Sequence, residues 1–189
     1  MTSHSLFSAS ASTRLMNCPG SYEFAQNFVD PKVRRATVFS AEGTLAHSLA
    51  EACVVSGTDP ASFLGQTRTA DGFDFFIDEE FVEGVNEYVN FLKGLFALGY
   101  RMLLERKVSP AHFWPDFAPL PIPLFGTSDC IAYHPGKHEL VIGDLKFGKG
   151  VPVEVAGNTQ TLYYGAGALD PQILFQLGKD LVVKRVRTV

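Results

Sequence analysis

The stretch GTSDCIAYHPGKHELVIGDLKFGKG, residues 126–150, decides how this chain is read. It predicts two short strands around a Pro-Gly turn. Strands that enter a core should not carry acids on their inner face, yet Asp129 stands where the first strand begins. Asp144 interrupts the apolar run of the second strand, and Lys146 follows two residues later. If Gly136-Lys137 form a two-residue turn, Asp129 lies opposite Asp144, with Cβ atoms roughly 4.5–5.5 Å apart. If Pro135-Gly136 form it, Asp129 faces Ile142 and Asp144 becomes a diagonal neighbour at roughly 7–8 Å. In either register, two ionised carboxylates so close repel each other, and partial burial strengthens the repulsion. A divalent cation offsets it, and hard oxygen ligands suit Mg²⁺ or Mn²⁺.

Strand alternation would put Asp144 and Lys146 on one face. A metal polarises phosphate and acidifies water, and a nearby ammonium neutralises developing charge. That is a kit for phosphodiester hydrolysis. On spacing alone the same residues also describe an exposed, salt-bridged hairpin face. The apolar surroundings in ELVIGDLKF favour a central strand.

Outward from the hairpin, FSAEGTLAHSLAEACVVSG predicts a helix capped by Ser40, with Leu45, Leu49 and Ala52 on one face and Gly57 at its end. His47 interrupts that face, and neutral imidazole is a common metal ligand. Glu51, one turn on, is placed to orient it or to sit in solvent. DEEFVEGVNEYVNFLKGLFALG predicts a longer helix, its acids in the first turn and Gly99 after its end. YRMLLERKVSP reads as a strand carrying a further carboxylate, Glu105, and the Pro-rich PAHFWPDFAPLPIPLFG as a loop. VEVAGNTQTLYYGAGAL predicts a third helix, on which Gln160 and Tyr164 share a face and can hold phosphate oxygens. QLGKDLVVKRVRTV reads as a last strand. Nearer the N-terminus, SASASTRLMNCPGSYEFAQNF has a short helical pattern broken at Pro19-Gly20. The order helix, helix, three strands, helix, strand predicts an α/β fold, a mixed central sheet flanked by helices.

The whole chain bounds these readings. Its 189 residues suit one domain, 1–189, and at 46% hydrophobic and 19% charged it has enough apolar side chains for a core. A net charge of -4 argues against a protein coated in basic residues but leaves room for local patches, at Arg34 and Arg35, at Lys146 and Lys149, and in the tail. The cysteines, Cys18, Cys53 and Cys130, are scattered and give neither a disulfide framework nor a close ligand pair, which fits a reducing cytosol. No signal peptide and no membrane-crossing stretch is expected.

Taken together, these pieces resemble the PD-(D/E)XK nuclease superfamily, and within it the RecB-like and Cas4-like exonuclease branch, most of all its phage-associated members. SASASTRLMNCPGSYEF looks like the N-terminal S-x-S…CP…F segment, and EGTLAHSLAE like the G-x-x-x-H helix. GTSD matches G-x-x-D, GDLK matches (D/E)-x-K, and QTLYY matches Q-x-x-x-Y. DLKFGKG and NTQTLYYGAGAL fit the phage-type wording. The resemblance implies a restriction-endonuclease-like core. It implies His47, Asp129 and Asp144 as metal ligands with the Leu145 carbonyl added, and Lys146 as the catalytic lysine alongside Asp144 and Asp129. It also implies Gln160 and Tyr164 as substrate-positioning groups. From the residues alone, Arg34, Arg35 and Lys149 are expected to track the backbone, and Glu51 and Glu105 are further candidate acids. The resemblance implies Mg²⁺ or Mn²⁺ as cofactor and DNA as partner, in the cytoplasm of a bacterial host, with a recombinase or single-strand-binding protein as companion. Some relatives hold an iron–sulfur cluster through an N-terminal cysteine and three later ones. Cys18 matches the first, but no cysteine follows Cys130, so no cluster is expected and Cys18 is expected to pack in the interior. The phage-type relatives run longer, so the chain is expected to be either a compact version or a fragment that lacks a C-terminal extension. The rival expectations are a catalytically weak DNA-binding module of the same fold, and a metal-dependent phosphoesterase acting on a small substrate.

Overall fold

The hairpin forms, in the register that places Asp129 and Asp144 opposite each other. Cys130 pairs with Gly143, Ile131 with Ile142 and His134 with Glu139. Residues 135–138 make the turn, in which the His138 N–H donates to the Pro135 carbonyl at 3.4 Å. The computed structural model describes residues 7–28, 36–113, 124–148 and 156–189. In chain order the elements are α1 (Ser12–Asn17), α2 (Ser21–Phe28), α3 (Val38–Ser56), β1 (Thr67–Ala70), β2 (Phe73–Phe76), α4 (Glu79–Ala97), β3 (Arg101–Val108), β4 (Gly126–His134), β5 (Glu139–Gly143), α5 (Thr159–Ala168), α6 (Pro171–Leu177) and β6 (Arg185–Thr188).

The chain divides into two units. The first comprises Met1–Val33, Tyr100–Asp144 and Val153–Val189. Its sheet runs β3-β4-β5-β6, antiparallel across the first three strands and parallel between β5 and β6. This is the expected mixed sheet with helical cover. Ile131, Tyr133, Leu140 and Ile142 alternate onto one face and pack with Tyr164 and Ala168 of α5 and with Ile173 and Leu177 of α6. The second unit, Arg34–Gly99 with Leu145–Pro152, has its own core. Leu45, Leu49 and Cys53 of α3 meet Phe81, Val85 and Val89 of α4, and Phe147 packs against the cluster. Among the described residues no helix is long and apolar enough to cross a membrane.

Several local expectations change. The α3 cap is Thr37, whose hydroxyl accepts from the Ser40 N–H while the Ser40 hydroxyl accepts from the Thr37 N–H. Ser40 is thus the third helical residue of a reciprocal capping box, because the helix starts three residues earlier than expected. Ala52 is exposed, and the buried stripe instead runs through Ala46, Ala50 and Cys53. Gly57 does end α3, with φ 72°, a left-handed conformation that favours glycine. The last expected strand is largely not one. Gln176 and Leu177 close α6, residues 178–184 are neither helix nor strand, and only Arg185–Thr188 pairs. Cys18 is exposed, not packed, because it sits at the break between the two short helices α1 and α2. Residues 153–155, expected to open the third helix, lie outside the described residues.

Candidate active site

Three strands bring three carboxylates to one level in the first unit. Leu104 pairs with Cys130 and Arg106 with Ser128, which places Glu105 opposite Asp129. The β4–β5 register carried one step past Gly143 places Asp144 on the other side of Asp129. Carboxylate oxygens of Glu105 and Asp129 come within 4.8 Å. Asp129 is 7% exposed, whereas Glu105 and Asp144 are half-buried. Alternation puts the row on the face shared by Leu103, Ile131 and Ile142, at the end of the apolar cluster. Glu105 has φ 46°, a conformation uncommon outside glycine, and the ladder skips it. Two ionised carboxylates at that separation repel by about 3 kcal/mol at an effective dielectric of about 20. The row is therefore a place where positive charge is stabilised.

Helix α5 covers the row with hydrogen-bonding groups. Gln160 Nε2 donates to Asp144 Oδ1 at 3.2 Å and to the Tyr164 hydroxyl at 3.3 Å. Burial pushes the Tyr164 phenol up to about 12; Gln160 opposes the shift, and the charges of Asp144, Asp129 and Glu105 add to it. Tyr164 is therefore a protonated donor at neutral pH. Gly126 explains the glycine of GTSD. A Cβ there would lie 2.9 Å from Tyr164 Cε1 and 3.2 Å from Ala9 Cβ, so only glycine leaves room for the ring. The start of α5 is fixed by Asn158, whose Oδ1 accepts from the N–H groups of Gln160 and Thr161. The Ser12 hydroxyl donates to Thr159 Oγ1 at 2.8 Å, which ties α1 to the same turn.

In the second unit, His47 of α3 holds the chain that follows Asp144. Its Nε2 lies 3.1 Å from the Leu145 carbonyl oxygen. Phe147 is anchored against Phe81, ring centroids 4.6 Å apart, and over Gly84, where a Cβ would lie 2.7 Å from the ring. Lys146 stands exposed between these two anchors. The alternation argument for Asp144 and Lys146 does not hold, because β5 ends at Gly143 and residues 144–147 are not strand. Glu51 is exposed on α3. Arg34, Arg35 and Lys149 lie outside the described residues.

The sequence reading missed a second charged cluster in the first unit. Glu139, 3% exposed, accepts from the Tyr100 hydroxyl and pairs with Arg185 at 2.9 Å and Arg187 at 3.6 Å. The Tyr100 hydrogen bond, then Arg185, Arg187 and Lys137, hold its carboxyl below the usual range against the opposing effect of burial. Glu139 alternates to the face opposite Asp144. A lone Glu beside a turn reads as solvent-exposed, and only the Arg-x-Arg spacing of Arg185 and Arg187 hinted at a partner.

A family model described as "Protein of unknown function (DUF2800)" matches residues 4–179. No solved structure matches the chain.

Proposed function

We propose that this chain, which belongs to the DUF2800 family, is a metal-dependent DNA exonuclease with a PD-(D/E)XK nuclease core. The observation that carries the reading is the row Glu105, Asp129, Asp144 with Gln160 and Tyr164 over it. The donor set fits the implied cation, since carboxylates side by side are what a hard divalent ion needs. Asp129 and Asp144 would hold Mg²⁺ or Mn²⁺, with Glu105 as a further oxygen donor. His47 and the Leu145 carbonyl are the remaining ligands that the nuclease resemblance implies. When bound, the ion would supply charge neutralisation at phosphate and lower the pKa of water.

The side chains then divide the work. Gln160 fixes the Asp144 carboxylate through Oδ1, and the Tyr164 hydroxyl keeps its proton to donate. Lys146 would bring its ammonium to the scissile phosphate, where charge grows as water oxygen bonds to phosphorus and the sugar oxygen departs. Arg34, Arg35 and Lys149 would pair with flanking phosphates, so affinity should fall as salt rises. The site of action would be the cytoplasm of a bacterial cell, beside a recombinase or single-strand-binding protein.

The test uses end-labelled linear and circular DNA, single- and double-stranded, with Mg²⁺, Mn²⁺ or EDTA. Loss of linear DNA that requires metal and vanishes in Lys146→Ala and Asp144→Asn is the expected result. Binding without cleavage in every metal would make the chain a DNA-binding module instead. Neither binding nor cleavage would refute the reading.

A further inference from the structure

We infer that β6 is a clamp that positions Asp144, and that Glu139 is the positioning residue that locks it. The inference rests on the nuclease reading only for its consequence at the metal site; the clamp itself is geometry of the first unit. Asp144 stands one residue beyond β5, where the antiparallel ladder with β4 has ended. Its backbone N–H donates to the Val189 backbone oxygen at 3.3 Å, and the Val189 N–H donates to the Ile142 carbonyl at 2.9 Å. The residue after β6 therefore holds the backbone on both sides of Gly143. Gln160 holds the Asp144 side chain. The backbone of this acid is thus held by β6 and its carboxylate by α5.

On its own β6 is a weak strand. It is four residues long, lies at a sheet edge, and its side chains are mostly exposed. Short exposed edge strands fray readily. What fixes this one is charge at its start. Arg185 pairs in register with Glu139, and Arg185 Nη2 lies 2.9 Å from Glu139 Oε1. Arg187 Nε, two residues on and on the same face, lies 3.6 Å from the same oxygen. The other groups facing that carboxylate are the Tyr100 hydroxyl, ahead of β3, and Lys137 in the turn. Because Glu139 is buried, losing either side of this contact costs more than an exposed pair would. A partner that orients a metal ligand typically changes metal affinity 10–100-fold when removed.

The experiment compares the full chain with Glu139→Gln, Arg185→Gln/Arg187→Gln and Arg185→Lys. The double arginine variant alters exposed side chains, so it keeps the test open if Glu139→Gln fails to fold. Amide exchange is read at Asp144 and Val189, with Ile131 in β4 as the internal reference. Mn²⁺ affinity is measured on the same samples. In the two clamp-breaking variants, exchange at Asp144 and Val189 should quicken by at least about tenfold relative to Ile131. The Mn²⁺ dissociation constant should rise about tenfold. Arg185→Lys, which keeps a charge at that position, should restore most of both. Unchanged exchange at Asp144 in folded clamp variants would overturn the inference. If wild type neither binds Mn²⁺ nor cuts DNA, the nuclease reading fails, and amide exchange still decides the clamp.

Discussion

One substitution made in two helices should have opposite signs. Gly167, in α5, faces β3; a Cβ there would lie 2.9 Å from both Cβ and Cγ2 of Val108 and 3.2 Å from the Ser109 backbone nitrogen. Ordinary contact begins at 3.4 Å. Val108 is 2% exposed and β-branched, so no rotamer change moves its Cβ away. Either α5 or the end of β3 must shift by about half an ångström. Overpacking of this kind costs about 1–3 kcal/mol, against a helix-propensity gain of about 1 kcal/mol for alanine. At the centre of those ranges Gly167→Ala should therefore lose about 1 kcal/mol, or roughly 2–4 °C in Tm for a chain of this size. Gly94, in α4, is exposed and has nothing within 4 Å of an added Cβ. Gly94→Ala should gain about 0.5–1 kcal/mol. Urea unfolding of wild type and both variants, followed by far-UV circular dichroism, compares them directly. A Gly167→Ala midpoint at or above wild type would refute the packing argument.

Two further outcomes follow from the ring of Tyr164. Gly126→Ala should destabilise by about 1–3 kcal/mol because its Cβ would strike that ring, and should cost clearly less in a Tyr164→Ala background; equal costs would show that the ring is not the obstacle. The folded Tyr164 pKa, about 12, lies above the unfolded value near 10. Its contribution to stability is therefore fully present below about pH 10 and is lost as pH rises toward 12. Urea midpoints at pH 9 and 11.5 should fall less in Tyr164→Phe than in wild type, and a decline as steep in the variant would contradict the assignment.

Legibility in the sequence tracked local chemistry. The acids of the hairpin could be paired because register follows from turn geometry, and the pairing Cys130–Gly143 is one of the two registers that the Pro-Gly turn allows. Gln160 and Tyr164 were visible as an i, i+4 pair because helical spacing is fixed. Glu105 was only a loose extra carboxylate, since nothing local announces that β3 lies beside β4 in that register. The hairpin β1–β2 went unread although Asp71-Gly72, with φ 48° and 85°, is the dipeptide such turns favour. Its strands are four residues each, too short for alternation to stand out. The alternation argument for Lys146 lapses for a different reason. Period-2 reasoning holds only while a strand continues, and residues 145 and 147 are claimed by His47 and Phe81 instead.

The first unit is assembled from three separated stretches of chain, with most of the second lying between the first two. A ribosome delivers these stretches in order. Residues 34–99 can begin to condense while the first unit still lacks its sheet, because the contacts of that sheet reach across the chain. The carboxylate row needs β3, β4 and β5, its cover needs α5, and the backbone tether on Asp144 comes with β6. A nascent chain of this design cannot have its carboxylate row both covered and tethered until the last of these segments has emerged.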